Sequence, residues 1–358
     1  MRIGVDARQL CGEQTGVGRY LSGLIHEWAQ RATSHEFVLY VPRPIEAATV
    51  GLDARKFATR IVPGSGGTWW EQVQLPRAMR ADHLDVFFAP QYSAPLAVKT
   101  PTVVAIHDVS FAAHPEWYRT REGIRLRWLV RHSAANARAI VTISEFSRRE
   151  IAEHLNVAGE RVRVIPPGVP DRRTSAGGVR EPRLLFVGSI FNRRHVVDLI
   201  RAFAAIARRH PEASLDLAGD NRTFPREDLA AAIAGEQVGR QVRWHQYASD
   251  EQLADLYQRA RAFAFLSEYE GLGLTPLEAL AAGAPPVLLD TPVARESCGD
   301  AALYVGAGNL GLITRALETL LFDEPTRARL LAAAPRVLDK YSWPRAGRET
   351  LSVIEQSA

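Results

Sequence analysis

The chain has 358 residues, 46% of them hydrophobic and 23% charged, which suits two ordinary globular cores and excludes a disordered or fibrous chain. The formal charge of +4 comes without any run of five like charges, so no nucleic-acid-binding signature is present and no nucleic-acid partner is expected. Two distant cysteines, Cys11 and Cys298, without a C-x-x-C, argue against a disulfide framework or a cysteine zinc site.

The opening MRIGVDAR reads straight into a strand, and no apolar run reaches the roughly 18 residues of a membrane span. The expected location is therefore cytoplasmic. Strands are predicted at Arg2–Val5, Glu36–Val41, Val86–Ala89, Thr102–Ile106 and Ala139–Ile143, with helices at Gly18–Ala32, Glu122–Ala137 and Glu145–Leu155. Short apolar runs alternating with longer amphipathic ones imply an α/β fold with a parallel sheet. Ser144 precedes the last of these helices, and Ser147 with Glu150 has capping-box spacing.

The stretch Pro166–Pro182, rich in Pro, Gly and Arg, reads as a linker. The pattern then restarts with strands at Arg183–Val187, Leu215–Ala218, Val242–Trp244, Ala262–Leu266 and Pro285–Leu289, and helices at Val196–Arg209, Asp250–Arg259 and Pro276–Ala282. A last helix, Trp343–Gln356, carries Ala346, Leu351 and Ile354 on one side and is expected to cross back to the first unit. Domains at 1–170 and 171–338, with a returning helix in 339–358, follow.

The strongest chemical signal is Glu270–Gly271–Leu272–Gly273–Leu274–Thr275–Pro276–Leu277–Glu278. Glycines before a helix permit close backbone approach, and a helix N-terminus offers unpaired N–H groups and a positive dipole end, so this is a phosphate site. Carboxylates at its two ends suit paired sugar hydroxyls. A second phosphate device is the loop Gly188–His195, with Ser189, Arg193 and Arg194 after a strand; basic groups beside a helix start oppose the dipole, which favours a functional reason for them. Gly16–Val17–Gly18 precedes a helix, but Leu21 stands where a dinucleotide fingerprint needs its third glycine, which argues against a dehydrogenase. His107 and Asp108 end a strand, where sites form, and Asp108 is placed to orient the imidazole. No D-x-D triplet occurs, so catalysis is expected to be metal-independent, with no cofactor. The Arg-rich helix Arg119–Arg138, with Trp128, reads either as a solvated face or as a contact for anionic lipid or a lipid-diphosphate acceptor.

With these motifs in order, the chain resembles the group 1, family 4 retaining glycosyltransferases over nearly its full length. The resemblance is carried by TGVGRY (Thr15–Tyr20), WEQ (Trp70–Gln72), HDVSF (His107–Phe111), HPEWY (His114–Tyr118), TISEFS (Thr142–Ser147), IPPGV (Ile165–Val169), the E-x7-E pair Glu270 and Glu278, and Ser342–Trp343. It implies a GT-B architecture: two Rossmann-like domains facing across a cleft, acceptor-binding first and nucleotide-sugar-binding second. It further implies that Glu278 holds the donor ribose, Glu270 the donor sugar hydroxyls, and the backbone from Gly271 through Leu272, Gly273, Leu274 and Thr275 the diphosphate. Gly16, Gly18, Ser189 and Arg193 would lie at the donor phosphates, Tyr247 at the base (or in the core), and His107 at the transferred sugar. Arg194 stands where the family commonly has Lys, a departure. The implied reaction transfers a hexose, with mannose favoured, from a GDP-, UDP- or ADP-linked sugar to a saccharide or lipid-linked acceptor in bacterial polysaccharide or glycoconjugate synthesis. Peripheral contact at the inner face of a membrane goes with the lipid-linked case. A sugar-nucleotide epimerase on the same architecture and a non-catalytic sugar-nucleotide-binding protein are the alternatives.

Overall fold

A computed structural model describes residues 1–12, 16–31, 33–45, 56–170 and 180–358. Thr15, Ala32 and most of the Pro166–Pro182 linker thus lie outside the described residues. The chain divides into two compact units, residues 1–168 with 341–358, and residues 169–340.

Unit 1 runs β1 (Arg2–Asp6), α1 (Gly16–Gln30), β2 (Glu36–Val41), β3 (Phe57–Ile61), α2 (Leu75–Met79), β4 (Val86–Ala89), β5 (Thr102–Ala105), α3 (Ser110–Ala113), α4 (Thr120–Asn136), β6 (Ala139–Thr142), α5 (Glu145–Leu155) and β7 (Val162–Val164). Its strands pair in parallel in the order β3-β2-β1-β4-β5-β6-β7. The central strands are buried on both faces, so they appear in sequence as continuous apolar runs. Val38, Tyr40, Phe87, Val104 and Ile140 share one core with residues of α2, α4 and α5.

The predicted strand spans hold to within a residue, whereas β3, β7 and the helical start at Gly16 were not foreseen. One cap differs. Ser144, extended before α5, accepts from the Ser147 amide at 2.9 Å, while Ser147 sits inside the helix and donates its hydroxyl to the His107 carbonyl at 2.8 Å. Ser147–Glu150 is therefore not a capping box, because burial of Ser147 against the end of β5 places the cap three residues earlier.

Unit 2 runs β8 (Arg183–Val187), α6 (Val196–Ala207), β9 (Ser214–Ala218), α7 (Leu229–Gly235), β10 (Val242–His245), α8 (Asp250–Arg259), β11 (Ala262–Phe265), α9 (Leu274–Ala281), β12 (Pro286–Leu289), α10 (Pro292–Cys298), β13 (Leu303–Val305), α11 (Leu310–Phe322) and α12 (Glu324–Leu338). The parallel order is β10-β9-β8-β11-β12-β13. The final helix, α13 (Trp343–Ser357), belongs to unit 1 and packs on α1, β4, β5 and β6. The Trp343 ring fills space that only glycine leaves at Gly23 and Gly168, and the Trp28 indole donates to the Gly347 carbonyl at 2.9 Å.

Candidate functional site

In an open parallel sheet, ligands bind beyond the carboxyl ends of the strands where the strand order reverses. In unit 2 that point lies between β8 and β11, whose chain continuations carry Gly188–Arg194 and Ser267–Glu278. The structure brings the distant Arg194 and Glu270 together there. Arg194 Nε donates to Glu270 Oε1 at 2.8 Å, a terminal nitrogen lies 2.7 Å from the same oxygen, and the other terminal nitrogen donates to the Ser189 carbonyl at 2.7 Å. Ser267 Oγ donates to Glu270 Oε1 as well, at 2.8 Å. The guanidinium carbon lies 4.8 Å from the Phe265 ring centroid, so strand β11 supplies the platform under the cation. Arg193 lies against Phe191, at 4.3 Å.

The loop after β8 is held tightly. Gly219 adopts φ +149, and a Cβ there would strike the Gly188 carbonyl oxygen. Burial alone would raise the Asp220 carboxyl, but hydrogen bonds from Arg222 and Ser189 hold it below its usual value. His195, at the start of α6, meets Glu268 at 2.8 Å and Asp198 at 3.5 Å, so acids offset the basic charge that opposes the helix dipole.

Helix α9 begins at Leu274, two residues earlier than expected, with Gly273 in the left-handed region at φ +85 as its N-cap. No side chain caps it. The amides of Leu274 and Thr275 consequently have no intrahelical partner, and Pro276 has no N–H to satisfy. A small cavity of about 20 Å³ lies beside it, lined in part by Ser267, Glu270, Leu272, Gly273 and Thr291. Gly271 is buried in the same loop. Glu278 is buried on α9, and its Oε2 accepts from the Tyr257 hydroxyl of α8 at 2.8 Å. Tyr257 was not singled out in the sequence, since nothing in the spacing connects α8 to α9. Tyr247 is 62% exposed, which rules out the core-packing role considered for it.

In unit 1 the reversal lies between β1 and β4. A buried ion network sits just past β1. Arg8 donates to Asp6, to Glu71 at 2.8 Å and to the Gly66 carbonyl at 2.9 Å, with its guanidinium 4.9 Å from the Trp70 ring. Ser93 Oγ also donates to Glu71, at 2.7 Å. Burial by itself would lower the Arg8 pKa, but Asp6 and Glu71 outweigh it and push the value up. Trp70–Gln74 forms a π-helical segment leading into α2, and Gln72 is fastened to Ala94 and Leu96 at 3.0 Å each. The WEQ motif thus ties the segment after β4 to the ion network. The Asp6-x-Arg8 pair at a strand end was the available sequence signal and was missed.

His107 is buried beyond β5. Its Nε2 donates to the Pro90 carbonyl at 2.8 Å, and its ring meets Tyr20 edge-on at 4.7 Å. Desolvation lowers its pKa, so the imidazole is held neutral, with Nδ1 as its basic nitrogen. Asp108 does not orient this ring by hydrogen bonding, contrary to expectation. Its carboxylate is engaged by the Tyr92 hydroxyl at 2.7 Å and by the Ser110 hydroxyl and amide at 2.6 and 2.9 Å, and the Pro90 carbonyl orients the imidazole instead. Gly16 and Gly18 lie in the first turn of α1, the first exposed and the second buried. A cavity of about 620 Å³ is at the amino end of β5 around Thr102 and Arg138, the opposite edge from these residues.

The model of glycosyl transferases group 1 matches residues 171–337, and that of Glycosyltransferase Family 4 matches residues 14–173. The chain belongs to the group 1, family 4 glycosyltransferases. It is 30% identical over 194 residues, 54% of its length, to the GDP-mannose:cellobiosyl-diphosphopolyprenol alpha-mannosyltransferase of Xanthomonas oryzae pv. oryzae, and that match spans half of the relative. To the O-antigen chain mannosyltransferase B of Escherichia coli it is 25% identical, over 75% of this chain and 74% of the other. Among solved structures, sucrose-phosphate synthase from Thermosynechococcus elongatus superposes with a TM-score of 0.80 at 17% identity, covering 99% of this chain and 98% of that one. Anabaena HepE, in complex with UDP and glucose, gives 0.77 at 17% identity, covering 99% and 100%. These likenesses establish the GT-B fold, with its two parallel-sheet Rossmann-like domains. Among the described residues, no helix is long and apolar enough to cross a membrane.

Proposed function

We propose that the chain is a retaining glycosyltransferase that moves a hexose from a nucleotide-diphosphate sugar to a saccharide or lipid-linked acceptor. The observation that carries this reading is the Arg194–Glu270 pair at the β8/β11 reversal, followed by the uncapped start of α9. A cation, unpaired amides and a carboxylate beside one another suit a diphosphate joined to a polyol. The mannosyltransferase names of the sequence relatives favour GDP-mannose as donor, and surface polysaccharide assembly as the setting.

In the proposed reaction the anomeric C–O bond to the diphosphate breaks, and its electron pair passes to the leaving phosphate oxygen. The acceptor oxygen bonds to the anomeric carbon on the same face, and its proton goes to that phosphate oxygen. Arg194, Arg193 and the amides of Leu274 and Thr275 stabilise the departing charge without a metal ion, in keeping with the missing D-x-D triplet. Glu270 orients the sugar hydroxyls and Glu278 the ribose. His107 and Asp108 serve the transferred sugar and acceptor, with Gly16, Gly18, Ser189 and Tyr247 completing the donor contacts.

The test is product formation with a panel of GDP-, UDP- and ADP-sugars. Arg194→Ala is expected to lower turnover about 10²–10³-fold, and Glu270→Gln about 10–100-fold, in variants that still unfold cooperatively above the assay temperature. Full activity in both variants refutes the site. Conversion of the donor without acceptor would identify an epimerase, and binding of the donor with neither conversion nor transfer would identify a non-catalytic binder.

A further inference from the structure

The connection from β4 to β5, Pro90–Pro101, joins parallel neighbours, a crossover that ordinarily carries a helix, and it carries none. Its inner end is nevertheless held firmly. Gln72 fastens Ala94 and Leu96, and the Ala94 amide donates to the buried Ser133 hydroxyl of α4 at 3.1 Å. Between this segment, the last turn of α4 and the end of α13 lies the cavity of about 620 Å³ at the amino end of β5. That volume falls among small-molecule sites, roughly 300–1,000 Å³. His107 lies beyond the other end of the same strand, so the cavity is separate from the residues proposed for transfer.

The lining carries one sign of charge. Lys99, Arg138 and Arg161 are its only charged side chains. Among the described residues, neither Lys99 nor Arg138 is paired with an acid. Arg161 is held in place by one terminal nitrogen, which donates to the Ala137 carbonyl at 2.6 Å and to those of Ala134 and Ala135 at 3.3 Å each. Its other terminal nitrogen and Nε stand outside those bonds, so donors remain for a ligand. Three like charges around one cavity repel one another, and an anion with several acceptor oxygens relieves that repulsion. Leu96 and Val98 add apolar surface and Asn136 an amide, which suit the C–H face and the hydroxyls of a sugar ring. No aromatic ring lines the cavity, so a nucleobase would find no stacking platform. We propose that this cavity is a second ligand site, for a small phosphorylated saccharide, with Lys99, Arg138 and Arg161 around the phosphate.

The site needs neither donor nor turnover, so it stands or falls independently of the proposed reaction. The full chain is titrated by calorimetry with glucose 1-phosphate, with glucose and with inorganic phosphate. Glucose 1-phosphate is expected to bind, to weaken with salt, and to bind about tenfold or more tighter than either of the others. The double variant Lys99→Ser, Arg138→Ser should lose about tenfold or more in affinity. Both side chains are exposed, so its melting temperature without ligand should match wild type. Thr100→Trp fills the cavity without changing charge and should weaken binding by a similar factor. Arg194→Ala should bind as wild type does, because that arginine belongs to unit 2. Absence of glucose 1-phosphate binding, or wild-type affinity in both the double variant and Thr100→Trp, overturns the proposal. Equal affinity for inorganic phosphate also overturns it, marking an adventitious anion only, and loss of binding in Arg194→Ala overturns it by moving the ligand to the donor site.

Discussion

Arg8→Met removes a cation from between two carboxylates that are almost wholly buried. Asp6 is 1% exposed and Glu71 2%. Wild-type Arg8 bridges both and ties them to the Gly66 carbonyl. Methionine fills similar space but leaves two negative charges with neither water nor a counter-ion. Breaking a buried ion pair from one side costs about 3–5 kcal/mol, a large share of the roughly 5–15 kcal/mol by which proteins are stable. For a unit of this size each kcal/mol corresponds to about 2–4 °C, so unit 1 should melt roughly 6–20 °C lower. Arg8→Lys retains charge without the planar fork and should fall between the two. The triple variant Arg8→Met, Asp6→Asn, Glu71→Gln removes the stranded charges and should recover part of the loss. Urea unfolding followed by far-ultraviolet circular dichroism measures all three, with Trp70 fluorescence reporting locally, since its ring lies under the guanidinium. An unfolding midpoint for Arg8→Met equal to wild type would refute the idea that this network holds the carboxyl edge of β1 together.

Tyr257→Phe deletes the hydroxyl that donates to Glu278 and should raise the donor KM about tenfold with smaller change in kcat, measured by initial rates, because a hydrogen bond to a charged group is worth about 1.5–3 kcal/mol. The lowered pKa of buried His107 means that the unfolded chain takes up its proton first as pH falls through the ordinary value of 6.5. Unit 1 stability should therefore hold above that pH and decline below it, by at most about 1.4 kcal/mol per pH unit from this residue, and His107→Gln should remove that part of the slope in denaturant melts. Burial pushes the Cys298 thiol up to about 12, so a disulfide reagent should label the half-buried Cys11 in the native chain and reach Cys298 only as unit 2 opens. Rapid native labelling of Cys298 would contradict its placement.

The fold was legible wherever one element obeyed one local rule. Central strands such as Phe186 and its neighbours are buried on both sides and appear as unbroken apolar runs. The edge strand β3 buries only Phe57 of its five residues, so Phe57–Ile61 carries no such run. The first two residues of α1 were hidden because Gly16, which stands exposed, is a poor helix former, so the helical signal begins only at Gly18. Ser144 and Ser147 both satisfied a capping rule, and only the burial of Ser147 beneath the His107 carbonyl separates them. For the site, residues within one loop were readable as a group, as in Glu270 to Glu278. Pairings across the fold, Arg194 with Glu270, Tyr257 with Glu278 and Arg8 with Glu71, are fixed by strand order and helix packing, which local spacing does not encode.

Strand order also explains why arginine suits position 194. After β8 the chain moves outward to β9 and β10, and the next strand, β11, returns to the other side of β8. The segments after β8 and β11 are therefore neighbours with no strand between them, and a side chain from the first can reach a carboxylate on the second. A lysine there would carry one compact charge, set against either Glu270 or an incoming phosphate. The guanidinium has five N–H groups in one plane, of which Nε and one terminal nitrogen face Glu270 while the other terminal nitrogen meets Ser189. Each terminal nitrogen carries a second N–H, so the group can stay fastened to the protein while presenting donors to a diphosphate. With its orientation already fixed by Glu270, Ser189 and the Phe265 ring, less side-chain entropy would be lost in the proposed reaction as charge develops on the leaving group.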